Sequence, residues 1–509
     1  MAGNRSMRLR RYGNPMPARS TSDEPAHSDS FVRGLSEAIG GPIGDHAVRS
    51  PSRFWTPARV VLALVCAVLA LHWVQKSPCR DGAWSDLKQY KYFCYTDVLA
   101  LYYAEHLNEG AVPYRDHPVE YPVVTGIFMG LLGLPVHALG EVLPDANEGR
   151  TFYDLNAIAL GAFAVATAGA ILAVRRRRPW DAAMFAVAPA LIVSATVNWD
   201  LLTVGLAALG LAAWAKRRPV VAGILLGLAV GGKLYPVLIF GPMLLLALRT
   251  RRWADLGATL STAVFTWVLV NAPIALLYRD AWMTFWSFND KRGIDWGTLW
   301  YIGAHFPRGR GAYGFEFFTS LDADPEHSAL NRLYLLLFVI ACVGIAALAL
   351  LARRRPRLAQ LAFLVVAAFL IVGKVWSQQY VLWLIPLAVL ARPRWGAFLA
   401  WQAAEVIYFV SFYGELMGAS GRQVFPEGVF VLASSLRLIT LCILVGFVIY
   451  DILHPELDAV RRTYDDDPDG GDFDGQPDGP IVNWLRGLFG QPPVPERSAV
   501  LTPSNSAPG

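Results

Sequence analysis

Apolar segments separated by short clusters of arginine constrain the fold of this chain more than any other feature. They lie at about 58–74, 121–140, 153–174, 181–198, 200–215, 219–231, 235–248, 256–277, 330–352, 358–373, 379–391, 396–413 and 428–450. Hydrophobic residues make up 54% of the 509 residues and charged residues only 17%, below the roughly 25% usual in soluble domains. The sequence therefore predicts an all-α polytopic membrane protein.

The basic clusters predict which ends of the segments share a side of the membrane, because cytoplasmic loops are rich in lysine and arginine. Placing all of them in the cytoplasm gives about 12 transmembrane helices, provided that 121–140 is re-entrant or lies near the outer interface. The alternative, with 219–248 as one long helix, puts seven basic residues on the outer side. The clusters are 175–178, 216–218, 249–252, 353–357 and 392–394.

The same topology divides the chain into a membrane domain and two tails. We expect a disordered cytoplasmic tail at 1–57, a membrane domain at 58–451 in the plasma membrane, and an acidic, disordered cytoplasmic tail at 452–509. The domain has two large outer loops, at about 75–120 and 278–329. Within the second tail, Ile481 to Phe489 could form a short surface helix.

Two of the five cysteines fall in the first outer loop. Cys79 and Cys94 can form a disulfide at an oxidising outer face or remain free thiols. The other cysteines lie inside predicted spans. No cluster of histidine, cysteine or carboxylate suggests a metal site, and the scattered arginines do not suggest nucleic acid.

Polar residues near the predicted outer face are the candidates for chemistry. Asp97 begins a short helix in the first loop, where it can cap the helix or act as a general base. Glu120 and Asp116 are alternative carboxylates or simple surface charges. His305 lies in the second loop, whose many aromatic residues form an interfacial belt or stacking platforms.

Lys233 and Lys374 each interrupt an apolar hairpin at its tip. An ionisable group at membrane depth is costly, so each either binds an anion such as a phosphate or extends to the headgroups. Arg292 adds a further positive charge in the second loop. Arg437 lies inside the last span, where we expect a structural pair with a carboxylate such as Glu405.

Three stretches of the chain form a recognisable set. They are Asp97, Tyr102-Tyr103, Gly110, Pro113-Tyr114 and Tyr121-Pro122; Ala222 to Ala229 with Lys233 to Pro236; and Lys374 to Trp383. Together they resemble glycosyltransferase family 87, whose multi-span architecture is called GT-C, and the resemblance covers about 58–450. The chain differs from the family pattern by a single Pro122 where many relatives have two prolines, and by Gln378 where proline is common.

The resemblance implies an inverting transfer of a sugar, mannose by the family default, from a polyprenyl-phosphate donor. The acceptor would be a cell-envelope lipid or glycan at the outer face, with membrane lipids as the surroundings and no cofactor. Asp97 matches the acidic base of the first loop. Lys233, and less closely Lys374 and Arg292, would bind the donor phosphate. Glu120 and His305 are further acid/base or acceptor candidates. The abundance of alanine and arginine resembles actinobacterial proteins.

Two other classes of function stay open at this point. A polytopic transporter or lipid flippase should show internal repeats and broken helices at the midplane, and no repeat is evident here. A non-catalytic scaffold for envelope assembly would suit the two long tails. Asp97 beside the basic hairpin tips favours the transferase.

Overall fold

The computed structural model describes residues 29–40, 54–309, 312–323, 327–426 and 428–488, which are almost entirely helical. Its first half contains α1 (Ser30–Gly40), α2 (Pro57–Lys76), α3 (Lys88–Lys91), α4 (Asp97–Ala104), α5 (Val123–Val142), α6 (Glu148–Val174), α7 (Asp181–Ala186), α8 (Pro189–Ser194), α9 (Asp200–Ala215), α10 (Pro219–Gly232), α11 (Phe240–Thr250) and α12 (Ala254–Leu277).

The second half begins with the large loop and ends in the tail. It contains α13 (Arg279–Lys291), α14 (Leu299–His305), a two-stranded antiparallel hairpin of β1 (Pro307–Gly309) and β2 (Ala312–Tyr313), α15 (Glu316–Asp322), α16 (Ser328–Leu351), α17 (Leu358–Val372), α18 (Val381–Ala391), α19 (Trp395–Ala419), α20 (Val429–Leu453), α21 (Arg461–Tyr464) and α22 (Pro480–Leu488).

The prediction of an all-α polytopic membrane protein is confirmed. Among the described residues, 6 helices are long and apolar enough to cross a membrane, namely α2, α5, α6, α12, α16 and α20. Shorter apolar helices fill the centre of the bundle. The shortest are interrupted by proline: Pro189 separates α7 from α8, and Tyr235–Ile239 forms a 3-10 turn before α11.

The bundle has two ends that differ in chemistry. At the arginine end, Arg175, Arg249 and Arg357 cluster where α6, α11 and α16 finish and α17 begins. At the loop end lie the first loop, between α2 and α5, and the second loop, between α12 and α16. Such short helices bring the loop-end turns close together in the protein interior.

Helix α5 begins and ends at the loop end. Near its start, Thr125 Oγ1 donates to the carbonyl of Gly232 at the end of α10, 2.7 Å away. Near its end, Gly140 lies against Glu148 at the start of α6. Between them, glycines let the helix approach Tyr114, Pro113 and Leu107 of the first loop. This path agrees with the re-entrant or interfacial segment that the arginine clusters predict.

The tails differ from the disordered segments that the sequence predicts. Residues 30–40 form α1, which Asp29 caps through the amides of Phe31 and Val32. At the other end, residues 454–488, the C-terminal segment, pack on the arginine end of the bundle. Residues 1–28, 41–53 and 489–509, including Phe489, lie outside the described residues.

Buried ion pairs explain why the acidic segment is ordered. Arg357 Nε donates to Asp458 Oδ2 at 2.7 Å, and Arg175 Nη2 donates to Asp469 Oδ2 at 2.6 Å. Arg249 Nε donates to Asp478 at 2.6 Å. Arginines buried at helix ends need counterions, and the aspartates of this segment supply them. Composition alone reveals the acidity but not its partners.

Candidate active site

Asp97 is the first helical residue of α4, and its neighbour Thr96 caps the helix. Thr96 Oγ1 accepts from the Val98 amide at 3.2 Å and donates to the Thr196 carbonyl at 2.6 Å. The Asp97 amide donates to the Val197 carbonyl at 2.7 Å. Because the Thr96 side chain caps the helix, the Asp97 carboxylate does not act as the cap. The capping interpretation of Asp97 is therefore wrong.

Asn198 joins the first loop to the bundle. Its side-chain nitrogen donates to Asp97 Oδ2 at 2.8 Å and to the Tyr121 hydroxyl at 2.6 Å. Its side-chain oxygen accepts from the Trp199 amide at 2.6 Å. Because both of its polar atoms form hydrogen bonds, the buried side-chain amide of Asn198 can take only one orientation. It fixes both Asp97 and Tyr121.

Lys233 lies at the end of α10 with its ammonium between two aromatic rings. The nitrogen is 4.9 Å from the Tyr121 ring centroid and 5.6 Å from that of Tyr380. The nearest carboxylate oxygen, Asp200 Oδ2, is 3.7 Å away. This oxygen has no hydrogen-bond partner among the described residues. The ammonium is thus held by charge and by ring faces, which leaves its donors available to an anion.

Asp200 is held from its other side by a stack of aromatic rings. Its Oδ1 accepts from Trp383 Nε1 at 2.6 Å. Trp383 stacks on Tyr235 at 4.5 Å and on Tyr380 at 3.9 Å between centroids. Asn198 and Asp200 lie in a single turn at the start of α9, of which Asp200 is the first residue. That turn therefore supports both Asp97 and Lys233.

Arg292 and Glu120 complete the set of charges around Asp97. Arg292 Nη2 donates to Asp295 Oδ2 at 3.1 Å and lies over the Phe288 ring. Glu120 is partly buried beside Asp97, with both Arg292 and Lys233 close enough to act on its charge. Two carboxylates and two cations thus form one cluster of charges at the loop end, the polar recess.

Burial sets the electrostatics of this recess. It raises the pKa of Asp97 above its ordinary value, while hydrogen bonds from Asn198 and Tyr95 and the charges of Lys233 and Arg292 act in the opposite direction. Burial also raises the pKa of Glu120, and the charge of Asp97 adds to that shift. A carboxylate with a raised pKa is a better proton acceptor in the physiological range.

Lys374 is committed to the loop scaffold. Its ammonium donates to the Asn331 side chain at 2.6 Å and to the Asp290 carbonyl at 3.0 Å. Its own carbonyl accepts from the Asp295 amide at 2.9 Å. The structure thus uses Lys374 to tie α13 to the start of α16 and to hold Asp295, the partner of Arg292.

His305 lies in the second loop, at the end of α14. Its ring stacks on Tyr301 at 4.0 Å, and Nδ1 lies 3.1 Å from the Tyr301 carbonyl.

Arg437 of α20 forms an ion pair with Glu405 of α19, with 2.8 Å between Arg437 Nε and Glu405 Oε2. It also donates to the Trp376 carbonyl at 3.0 Å. These contacts stabilise the turn before α18.

An aromatic groove opens beside Tyr121. It is a shallow, open groove lined by Trp267, Trp282, Phe285, Trp286 and Leu234. Trp282 is fixed by a 3.1 Å bond from Nε1 to the Asn271 side chain. The groove lies between α5, α12 and α13, and Tyr121 is the residue that it shares with the surroundings of Lys233.

The first loop is held by a covalent bond next to the site. Cys79 and Cys94 form a disulfide, and Cys94 precedes Asp97 by three residues.

Within the part of the chain that the structure describes, no group of three or more histidine, cysteine or carboxylate side chains could hold a metal ion.

Sequence reasoning missed Asn198 and Asp200 as site residues. Their position at the junction of the apolar segments 181–198 and 200–215 indicated only a turn. The available signal was three polar or amphipathic residues at a helix junction on the predicted outer side. Their partners are distant in sequence, since Asp97 and Asn198 are 101 residues apart.

Comparison with known protein families gives a match over the middle of the chain. The profile of glycosyltransferase family 87 matches residues 121–376, about half of the 509-residue chain. The matched range contains Lys233, Arg292 and Lys374, whereas Asp97 precedes it. No curated protein matches the chain. The chain belongs to glycosyltransferase family 87, a family of membrane glycosyltransferases.

Proposed function

We propose that this protein transfers a hexose, mannose by family resemblance, from a polyprenyl-phosphate donor to a lipid or glycan acceptor of the cell envelope. The reaction takes place at the loop end, on the outer face of the plasma membrane, with both chain termini in the cytoplasm. One observation carries the proposal. The junction that begins α9 supports a carboxylate and an ammonium together: Asn198 donates to Asp97 at 2.8 Å, and Asp200 lies 3.7 Å from the Lys233 ammonium.

Asp97 serves as the general base in this reaction. It takes the proton of the acceptor hydroxyl as the oxygen attacks the anomeric carbon, and the bond from that carbon to the donor phosphate breaks. A single displacement of this kind inverts the anomeric configuration. The bond from Asn198 supports this role because it orients the carboxylate without neutralising it.

Lys233 and Arg292 bind the donor phosphate, which leaves with the electron pair of the broken bond. Negative charge grows on that phosphate in the transition state, and fixed positive charge nearby stabilises it. Lys233 is suited to this role by its available donors. Because its donors bond Asn331 and Asp290, we assign Lys374 to positioning the loop and not to phosphate contact.

The aromatic groove accommodates the first isoprene units of the donor. Its walls are largely apolar, and it begins next to Tyr121, whose ring also contacts Lys233. A lipid phosphate with its head group at Lys233 would therefore extend its chain towards α12 and α13. Apolar burial of this kind contributes to affinity in proportion to the area covered.

The test is transfer by the purified protein in proteoliposomes, with radiolabelled polyprenyl-phosphate-mannose and a lipid extract of the source cell as acceptor. We expect Asp97→Asn to lower turnover about 1,000-fold, because it removes the base. We expect Lys233→Met to lower turnover about 100-fold.

Matched controls separate these roles from general damage. Asp145→Asn changes an exposed outer aspartate between α5 and α6, and Lys291→Met changes an exposed lysine at the end of α13. Both should transfer at the wild-type rate. Wild-type turnover in Asp97→Asn would overturn the assignment of the base, and absence of transfer by the wild type with every polyprenyl-phosphate sugar tried would overturn the donor class.

A further inference from the structure

A second groove lies between α6 and α9, at the arginine end of the bundle and away from the polar recess. Its walls are apolar except at one end, where a carboxylate of the C-terminal segment lies. We call it the alanine groove. Among its lining residues are Ala170 and Val174 of α6, Ala208, Leu211 and Ala212 of α9, and Asp469.

The two helices that form the alanine groove are close neighbours. They touch at Gly205, where an added Cβ would lie 2.7 Å from the Phe163 side chain. Towards the arginine end, Val174 and Leu211 are partly exposed, so the groove opens onto the flank of the bundle. Because the axes of packed helices are about 8–10 Å apart, an opening between two such neighbours admits one hydrocarbon chain.

Asp469 brings an unused hydrogen-bond acceptor to the end of this groove. The residue is only 6% exposed. Its Oδ2 accepts from Arg175 Nη2 at 2.6 Å, and Arg357 Nη1 lies 3.5 Å from the same oxygen. Its Oδ1, in contrast, has no hydrogen-bond partner among the described residues. A buried acceptor without a partner is unfavourable, so this oxygen indicates a ligand that donates a hydrogen bond.

Arg175, the partner of Asp469, brings unused donors to the same place. It is completely buried, and its Nη2 also donates to the carbonyl of Leu390, which lines the groove, at 2.7 Å. Its Nε and Nη1 form no hydrogen bond within the part of the chain that the structure describes. One buried ion pair at the end of an apolar groove thus leaves both an acceptor and donors unused.

The charges at this end restrict the chemistry of the ligand. Arg175 has Asp469 and, at 3.9 Å, Asp181 as counterions, whereas Arg357 has Asp458 at 2.7 Å. The positive charge is therefore already compensated, and an anionic head group finds no free cation. An ammonium donates but cannot accept from a guanidinium. A hydroxyl group does both and carries no charge.

We propose that the alanine groove binds a single-chain lipid alcohol. Its hydrocarbon chain lies between α6 and α9, and its hydroxyl donates to Asp469 Oδ1 and accepts from Arg175. Since Asp469 belongs to the C-terminal segment, the bound lipid fastens that segment to α6, one of the helices long enough to cross the membrane. The site lies at the opposite end of the bundle from Asp97, and the inference does not depend on the proposed transfer.

The test is photolabelling of the purified full chain in detergent with hexadecanol that carries a diazirine in its chain. Labelled peptides are identified by mass spectrometry, and we expect label within 170–174 and 208–212. Unlabelled hexadecanol should compete at about one tenth of the concentration that hexadecane requires, because only the alcohol can form the hydrogen bonds at Asp469 and Arg175. Hexadecyl phosphate should compete no better than hexadecane.

Ala170→Leu fills the groove without changing its polar end. We expect it to lower labelling about tenfold, because the added side chain occupies the place of the lipid chain. Hexadecanol should also raise the Tm of the wild type and leave that of Ala170→Leu unchanged, since a ligand stabilises the folded state that binds it. Ala162→Leu adds the same volume at an exposed position of α6 and should behave as the wild type. If Ala170→Leu does not fold, Ala212→Leu blocks the groove from α9.

Three results would overturn the proposal, each at a different point. Equal competition by hexadecane and hexadecanol would show that the hydroxyl is not recognised. Stronger competition by hexadecyl phosphate or by a diacylglycerol than by hexadecanol would replace the lipid alcohol with an anionic or a two-chain lipid. Undiminished labelling of folded Ala170→Leu and Ala212→Leu would show that the label enters elsewhere.

Discussion

Asn198 shows how one neutral side chain can organise a charged site. Its amide reaches Asp97 in the first loop and Tyr121 at the start of α5, and it is buried where no water competes for those bonds. A neutral donor stabilises the ionised carboxylate without quenching its basicity, which an arginine in the same place would do. An asparagine at position 198 therefore orients the Asp97 carboxylate and preserves its basicity.

Replacing this amide should affect turnover more than binding. In Asn198→Ala we expect turnover to fall about 100-fold with the KM for donor little changed, because a misdirected base loses the aligned geometry of attack. The measurement is steady-state transfer over a range of donor concentrations. Asn289→Ala, an exposed asparagine of α13, is the control. A rise in KM with full turnover would instead place Asn198 in donor binding.

At the scale of elements, α5 is predicted not to cross the membrane although its length and hydropathy would allow it to. It has 20 residues and is apolar enough to span. Its glycine-rich face, however, packs on the first loop from Tyr114 to Leu107. Small residues allow that close packing, and the basic clusters on neighbouring helices fix the side at which α5 must end.

Accessibility of single cysteines tests the path of α5. In a background that keeps the Cys79–Cys94 bond and lacks the free cysteines Cys66, Cys342 and Cys442, Arg115→Cys and Glu141→Cys flank α5. We expect an impermeant maleimide to label both from outside intact cells, because both ends lie at the loop end. Arg217→Cys, before α10, should react only after permeabilisation. Labelling of position 141 only from inside would show that α5 crosses.

For the whole molecule, the C-terminal segment acts as a connector of helices that are far apart in the chain. Arg357 and Asp458, 101 residues apart, are both almost completely buried. Arg357 also binds the carbonyls of Leu390 and Ala391, the last residues of α18. Asp458 of the C-terminal segment thus holds the arginine that donates to the carbonyls at the end of α18. Without Arg357 these carbonyls would lack hydrogen-bond partners.

Breaking one of these pairs should destabilise the bundle without affecting the distant recess. In Asp458→Asn we expect the free energy of unfolding to fall by about 3 kcal/mol, since the buried Arg357 loses its 2.7 Å partner and keeps only Asp469, at 3.5 Å. Thermal unfolding in detergent, followed by tryptophan fluorescence, measures this as a lower Tm. Asp465→Asn, an exposed aspartate of the same segment, should leave the Tm unchanged. Equal Tm values for the two variants would contradict this role.

The sequence by itself determined the class of the molecule, and it predicts the sidedness of its loops. Both follow from local properties: apolar length sets which segments enter a bilayer, and basic clusters set which ends share a side. The positions of Asp97 in the first loop and of Lys233 at the tip of an apolar hairpin could be predicted in the same way. Each depends on its own neighbours in the chain.

Only the tertiary structure decided which of these residues meet. The bond between Asp97 and Asn198, the Asp200 oxygen next to Lys233 and the aspartates that order the C-terminal segment join positions far apart in sequence. No periodicity encodes such pairs, because they arise from helix packing, which brings together turns that the chain separates. The hydropathy of the sequence determines that this protein lies in a membrane, whereas helix packing determines which of its few polar groups are in contact.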